Sequence, residues 1–159
     1  APFVAAKVYD LSPSQIGMLL ALIPLGFVPG NIIVGKLVNR FSTKFLLMVG
    51  STLLIIGPFL SLLTSNLYTH QLAFFVPMVI MAFGTGMIWP VANTAIIQAV
   101  PSLAGSASGI SSALMVTTSA ISSGILGWNI ENSDPILALV YMLILVGAAT
   151  VASSTFIKN

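Results

Sequence analysis

Cysteine is absent from this 159-residue chain, which removes disulfides, thiolate nucleophiles and cysteine-bound metals from the chemistry open to it. Charge is nearly absent too. Asp, Glu, Lys and Arg make up 5% of the residues, against about 25% in an ordinary water-soluble domain. One histidine, His70, and three carboxylates, Asp10, Glu131 and Asp134, complete the acid-base inventory. There is no acid-base pair, no nucleophile beside a base, no metal-ligand cluster, and no phosphate-cradling glycine loop before a basic residue of the right pattern. The chain therefore reads as a non-enzyme without cofactor or metal. A net charge of +2 from so few residues gives nucleic acid nothing to bind. The opening Ala1-Pro2-Phe3-Val4-Ala5-Ala6 has neither an initiating Met nor a basic signal-peptide start, and reads as the tail of an earlier helix.

What the chain does have is long apolar runs, with 57% hydrophobic residues. Leu11 to Gly35 and Pro135 to Ile157 contain no Asp, Glu, Lys or Arg, and between Phe45 and Ile130 only His70 and Tyr68 titrate. A crossing of the ~30 Å hydrocarbon core takes about 20 such residues, so the sequence predicts an all-α membrane helix bundle with about five full crossings. Sustained polar-apolar alternation, the mark of a membrane strand, is missing.

The basic residues gather in Gly35 to Lys44, where Lys36, Arg40 and Lys44 form a short hinge between two apolar helices. Membrane proteins keep their Lys and Arg excess in cytoplasmic loops, so the hinge orients the chain. Alternation places Lys36, Arg40, Lys44 and Lys158 on the cytoplasmic side and Asp10, Glu131 and Asp134 opposite, with Lys7. Ser12 as N-cap and Pro13 at the next position open a helix over Ser14 to Val38. Pro24 and Pro29, flanked by Gly26 and Gly30, predict a kink near mid-membrane. The Gly26-x-x-x-Gly30 pair permits close helix contact. A second helix, Phe45 to Thr64, reads as peripheral, and the turn Ser65 to Gln71 leaves His70 solvated and without a role.

The third helix, Leu72 to Ala99, is more informative. Met78, Met81, Thr85, Trp89 and Asn93 recur at spacings of three and four, so they share one adaptable, aromatic and weakly polar face. An Asn in a bilayer needs a partner or water, which turns Asn93 toward protein or a cavity. The face is open to two readings, a substrate cavity or helix packing with Met filling gaps. After a turn from Gln98 to Leu103 comes a fourth helix, Ala104 to Trp128. Its large residues Leu103, Ile110, Leu114, Ile121 and Ile125 step by seven, four, seven and four, one narrow lipid-facing stripe. Gly105, Ser108, Gly109, Ser112, Ser119 and Ser123 lie opposite, a small-residue face suited to pressing against other helices. An acidic turn, Trp128 to Pro135, precedes a last helix, Ile136 to Ile157, that is apolar nearly all round and reads as peripheral.

The hinge resembles the signature loop of the major facilitator superfamily, Gly-x-Leu-x-Asp-Arg-x-Gly-Arg-Lys, with Gly35, Leu37, Arg40 and Lys44 in place. Asn39 stands for its Asp, Ser42 for its Gly and Thr43 for its Arg, as in the weaker second copy between the eighth and ninth helices. Gly84-Thr85-Gly86-Met87-Ile88-Trp89-Pro90-Val91-Ala92-Asn93, followed by Ala104-Gly105-Ser106-Ala107-Ser108, is similar to the tenth and eleventh helices of bacterial drug:proton antiporters of the bicyclomycin-resistance type. Pro2-Phe3-Val4 and Val8 to Pro13 fit the end of the seventh helix and the loop after it.

The resemblance implies the C-terminal half of a twelve-helix transporter in a bacterial inner membrane, with the N-terminal half outside this sequence. It further implies export of small amphipathic drugs or metabolites in exchange for protons, by alternating access around a midplane site. It puts Met78, Met81, Thr85, Trp89 and Asn93 on the cavity, and Gly35, Asn39, Arg40 and Lys44 in a cytoplasmic gate or, in the plainer reading, a topology signal alone. With no carboxylate in any span, the proton-carrying group is expected in the other half. A nutrient importer of the same fold and a non-transporting membrane scaffold are the alternatives.

Overall fold

The computed structural model describes residues 9–68, 70–99, 101–132 and 135–155. The expected tail over 1–6, with Lys7, Asp134 and Lys158, lies outside them. The described chain is helical apart from short turns, an all-α bundle.

Helix α1 (Pro13–Leu20) starts as its capping residues dictate. Ser12 is extended (φ −66°, ψ 154°) and its Oγ accepts the Gln15 amide, while Gln15 Oε1 accepts the Ser12 amide at 3.0 Å. Pro13 fills the first helical position, where a missing N–H costs nothing. Helix α2 (Leu22–Leu37) continues the same span. The helix is interrupted at Ala21, three residues before Pro24. Pro24 has no N–H for the Leu20 carbonyl and its ring crowds that group. The first segment therefore closes with the Ala21 amide on Gly17 O at 3.1 Å, and a new one begins.

Helix α3 (Thr43–Leu67) begins before Phe45 because Ser42, extended at φ −65° and ψ 148°, caps it by accepting the Phe45 amide at 3.3 Å. Lys44 thus lies in a helical first turn, and the hinge backbone outside helix is only 38–42. Helix α4 (Gln71–Ala99) is opened by His70, whose Nδ1 accepts the Leu72 amide at 3.2 Å; the residue read as having no role is a cap. A 3₁₀ turn (Pro101–Leu103) leads to α5 (Ala104–Asn132), and α6 (Pro135–Thr155) follows. Helix α5 runs past the expected end at Trp128, since no Gly or Pro interrupts the chain between Trp128 and Pro135.

Among the described residues three helical stretches are both long and apolar enough to cross a membrane, Pro13–Leu37, Thr43–Leu67 and Gln71–Ala95. Helices α5 and α6 have 29 and 21 residues, which at about 1.5 Å each also reach across the hydrocarbon.

Helix α3 runs antiparallel to α4 and carries α6 on another side. As expected of an outer helix, it leaves an apolar stripe exposed, with Phe45, Ile56, Phe59 and Leu63 on it. Its small residues make the contact with α4 possible. A Cβ on Gly57 would sit 2.7 Å from Met81, one on Gly50 would sit 2.6 Å from Ile88, and one on Gly84 would sit 2.6 Å from the Gly50 carbonyl. On its other side α4 meets α2 in parallel, backbone against backbone. Cβ atoms on Gly26, Gly30 and Gly86 would fall 2.2, 2.3 and 2.2 Å from the carbonyl oxygens of Val79, Phe83 and Phe27. The Gly26-x-x-x-Gly30 contact anticipated above is therefore real. At such distances the glycine Cα–H groups point at carbonyls, a weak but repeated attraction.

Pro77 lies inside α4 and leaves the Ala73 carbonyl without its helical partner. Thr64 Oγ of α3 donates to that carbonyl, and buried Ser61 Oγ donates to the neighbouring Phe74 carbonyl at 2.8 Å. Two apolar clusters complete the core. Leu19, Phe74, Phe75 and Met78 pack at the Asp10 end, and Val34, Leu46, Leu47, Met87 and Val91 at the hinge end.

Candidate substrate-facing site

Helix α4 is held from two opposite sides. Val79, Phe83 and Gly86 face α2, whereas Met81, Gly84 and Ile88 face α3. At about 100° per residue these sets lie roughly half a turn apart, and the face between them carries Met78, Thr85 and Trp89, with Asn93 at its edge. Of the five residues grouped by spacing, Met81 turns toward α3 and the other four share this side, with surroundings that change along it. Met78 is buried, 5% exposed, in the cluster it forms with Leu19 of α1, Phe74 and Phe75, against which Ile136 and Leu143 of α6 pack. Met81 is half-buried and pressed on Gly57. From there the face opens: Thr85 and Asn93 are partly exposed and Trp89 is 46% exposed. The face is thus closed toward the Asp10 end and open toward the hinge end.

The polar groups of this face are partly engaged by their own helix. Thr85 Oγ donates to Met81 O at 3.0 Å and Asn93 Nδ2 donates to Trp89 O at 3.0 Å. Just past it, Thr94 Oγ donates to Pro90 O at 2.8 Å. No group of three or more His, Cys, Asp or Glu able to hold a metal is found among the described residues.

The hinge residues lie together at one end. Gly35, Asn39 and Arg40 are exposed and Lys44 is half-buried. Gly35 would accept a Cβ with nothing within 4 Å, so no close contact requires glycine there. The Arg40 and Phe41 amides both bond Leu37 O, at 2.9 and 3.0 Å, and the Phe41 and Phe45 rings stack at 5.1 Å across the turn. The parallel course of α2 and α4 puts Lys36, Arg40 and Lys44 at the same end as the Pro101–Leu103 turn, with Asp10, Tyr68 and His70 at the other. There Tyr9 leans on Phe74, ring centroids 6.4 Å apart, and burial pushes its phenol above the ordinary tyrosine value.

Helix α5 is the contrast. Cβ atoms on Gly105, Gly109, Gly124 and Gly127 would meet nothing within 4 Å. Ser112, Ser119 and Ser123 are exposed, with Ser108 half-buried. The expected lipid stripe is exposed as well, with Leu103, Ile110, Leu114, Ile121 and Ile125 between 45% and 63%. The described chain supplies no close neighbour for the small-residue face.

The contribution missed from sequence is the Thr64 and Ser61 pair, whose signal was a proline at 77 facing hydroxyls on the preceding helix. Compared with known proteins, the sequence model of the Major Facilitator Superfamily matches residues 1–159. Neither a curated protein nor a solved structure matches.

Proposed function

Because the chain belongs to the Major Facilitator Superfamily and so serves membrane transport across a lipid bilayer, we propose that it forms the C-terminal six-helix half of a proton-coupled exporter of small amphipathic molecules. The observation that carries this reading is the face of α4 between α2 and α3, where Thr85, Trp89 and Asn93 offer an indole ring and neutral polar atoms at span depth without a charge. Such a surface suits varied apolar cargo better than sugars, which need many hydrogen-bonding partners.

The open Gly105–Ser123 face of α5 supports a second helical half as its neighbour, since small residues bring helix backbones close. Alternating access then rocks that half against the α2–α3–α4 unit. Proton coupling needs a titrating group inside the membrane. Phe45 to Ile130 offers only Tyr68 and His70, both at an end turn, so the reading assigns the proton to the other half. Arg40 and Lys44 are the basic groups of a gate at the cytoplasmic end.

The test is substitution in the complete transporter in a bacterial inner membrane. Trp89→Ala and Asn93→Ala should each change the range or rate of substrate export at unchanged protein level. Transport and substrate range both identical to wild type would remove α4 from the substrate path.

A further inference from the structure

We infer that the hinge end of α3 is a docking site for an anionic phospholipid of the adjoining leaflet, with its phosphate held by Arg40 and Lys44 and an acyl chain laid along α3. The site does not depend on the substrate path assigned to α4. Lys36, Arg40 and Lys44 put three positive charges at one end of the bundle. Among the described residues the carboxylates are Asp10 and Glu131, and both belong to the opposite end, Asp10 just before α1 and Glu131 in the last turn of α5. The three cations differ in what their own helices offer them. Lys36 sits in the last turn of α2, where the helix dipole favours a cation. Lys44 sits in the first turn of α3, which holds no acidic residue, and there the dipole works against it. Arg40 lies in the exposed turn, outside both helices. The charge left without a partner is therefore at Arg40 and Lys44.

An apolar surface begins where that charge ends. Phe45, Met48, Thr52 and Ile56 follow at spacings of three and four and are all exposed, so they form one stripe on α3. Phe41, 45% exposed, stacks on Phe45, 48% exposed, with ring centroids 5.1 Å apart, and carries the stripe into the turn beside Arg40. Thr52 Oγ donates to Met48 O at 2.8 Å, so its hydroxyl proton is satisfied within the helix. From Phe45 to Ile56 the helix rises about 16 Å, close to half of a ~30 Å hydrocarbon core. The stripe is one leaflet deep, and Lys44 lies one turn from Met48 at its upper edge. A phosphate above an acyl chain matches that order of charge and apolar surface, whereas a free phosphate would use only the charge. The turn also selects among headgroups. Phosphatidylethanolamine and phosphatidylcholine carry a cation beside the phosphate, and the hinge meets it with cations and the neutral amide of Asn39. Phosphatidylglycerol brings the phosphate without a cation.

Photolabelling of the complete transporter in phosphatidylcholine vesicles tests this. Trace phosphatidylglycerol, phosphatidylethanolamine or phosphatidylcholine is added, each with the same diazirine on its acyl chain, and adducts on residues 41–56 are quantified by mass spectrometry. Phosphatidylglycerol should label this stretch about fivefold or more above the other two, the gain from one basic residue at an anionic headgroup. Arg40→Gln and Lys44→Gln should each lower that labelling about fivefold, and so should Asn39→Asp. Phosphatidylcholine labelling should hold in all three variants, which shows that the helix is still in place. Asn39→Asp separates lipid binding from orientation of the chain, because it keeps every Lys and Arg and an added Asp contributes little to topology.

Equal labelling by all three lipids, or phosphatidylglycerol labelling indifferent to Asn39→Asp, overturns the site and leaves the basic residues as an orientation signal. Phosphatidylglycerol labelling abolished by excess glycerol phosphate, but kept in sodium chloride of the same ionic strength, assigns the charge to soluble phosphates and overturns the lipid as its partner.

Discussion

Thr64 and Pro77 show how single residues hold this bundle. A proline inside a membrane helix removes one N–H, and the carbonyl it orphans has no water to turn to. Here α3 supplies the missing donor, with Thr64 Oγ on Ala73 O and Ser61 Oγ on Phe74 O. Interhelical hydrogen bonds in membranes are worth about 0.6 kcal/mol on average and up to ~2. Thr64→Val should accordingly destabilise the folded protein by about 1 kcal/mol in denaturant titration in bicelles. Adding Pro77→Ala, which returns an N–H to Ala73 O, should make the Thr64 change nearly silent; equal costs in both backgrounds would refute the coupling. His70 is a second case. Its Nδ1 caps α4 by accepting the Leu72 amide, so His70→Ala should cost about 0.5–2 kcal/mol and His70→Asn much less, read by the same titration.

Between elements, glycine decides which helices touch. Gly26, Gly30 and Gly86 lie where any Cβ would strike a carbonyl of the facing helix, whereas Gly17 has nothing within 4 Å. The same substitution should therefore change sign with position. Gly26→Ala and Gly86→Ala should lower stability by about 1–3 kcal/mol, the usual cost of overpacking. Gly17→Ala, on an open helical face, should raise it by about 0.5–1 kcal/mol. Thermal unfolding of the three variants checks this, and a loss at Gly17 equal to that at Gly26 would contradict the packing. Gly50, Gly57 and Gly84 do the same for α3 and α4. Together these contacts join α2, α3 and α4 into one tightly packed unit.

At the scale of the whole molecule, α5 is set apart from that unit. Its apolar stripe and its small-residue face are both exposed, although the helix is long enough to cross the membrane. A helix exposing Gly and Ser over a wide arc gains little from lipid and much from a close helical neighbour. In the complete transporter Ser112→Phe should obstruct that neighbour and reduce transport by about tenfold, equivalent to a ~1.4 kcal/mol shift between states. Leu114→Phe on the lipid stripe should leave transport within about twofold. Vesicle uptake assays at matched protein levels separate the two, and equal losses would remove the distinction between the faces. The given chain has no cysteine, so Ser112→Cys also places one thiol in this half for cross-linking α5 to that neighbour.

Composition and periodicity determined the membrane environment, the helical class, the clustering of the basic hinge and the shared face of Met78, Thr85, Trp89 and Asn93. Each of these follows from a solvent that admits no unpaired backbone and from 3.6 residues per turn, which act on one helix at a time. The Gly26-x-x-x-Gly30 contact was legible for the same reason, since its spacing lies within one helix. Tertiary structure alone decided how that face is divided, with Met78 buried in the cluster of Leu19, Phe74 and Phe75 and Trp89 in the open, because burial depends on which neighbour arrives. It alone decided which side of α3 meets α4, as Gly50 and Gly57 reveal their purpose only opposite Ile88 and Met81. The break at Ala21 and the Thr64 bond to Ala73 belong there too. A proline in sequence announces that a carbonyl has lost its partner, but whether the helix stops or another element reaches that carbonyl depends on what packs beside it.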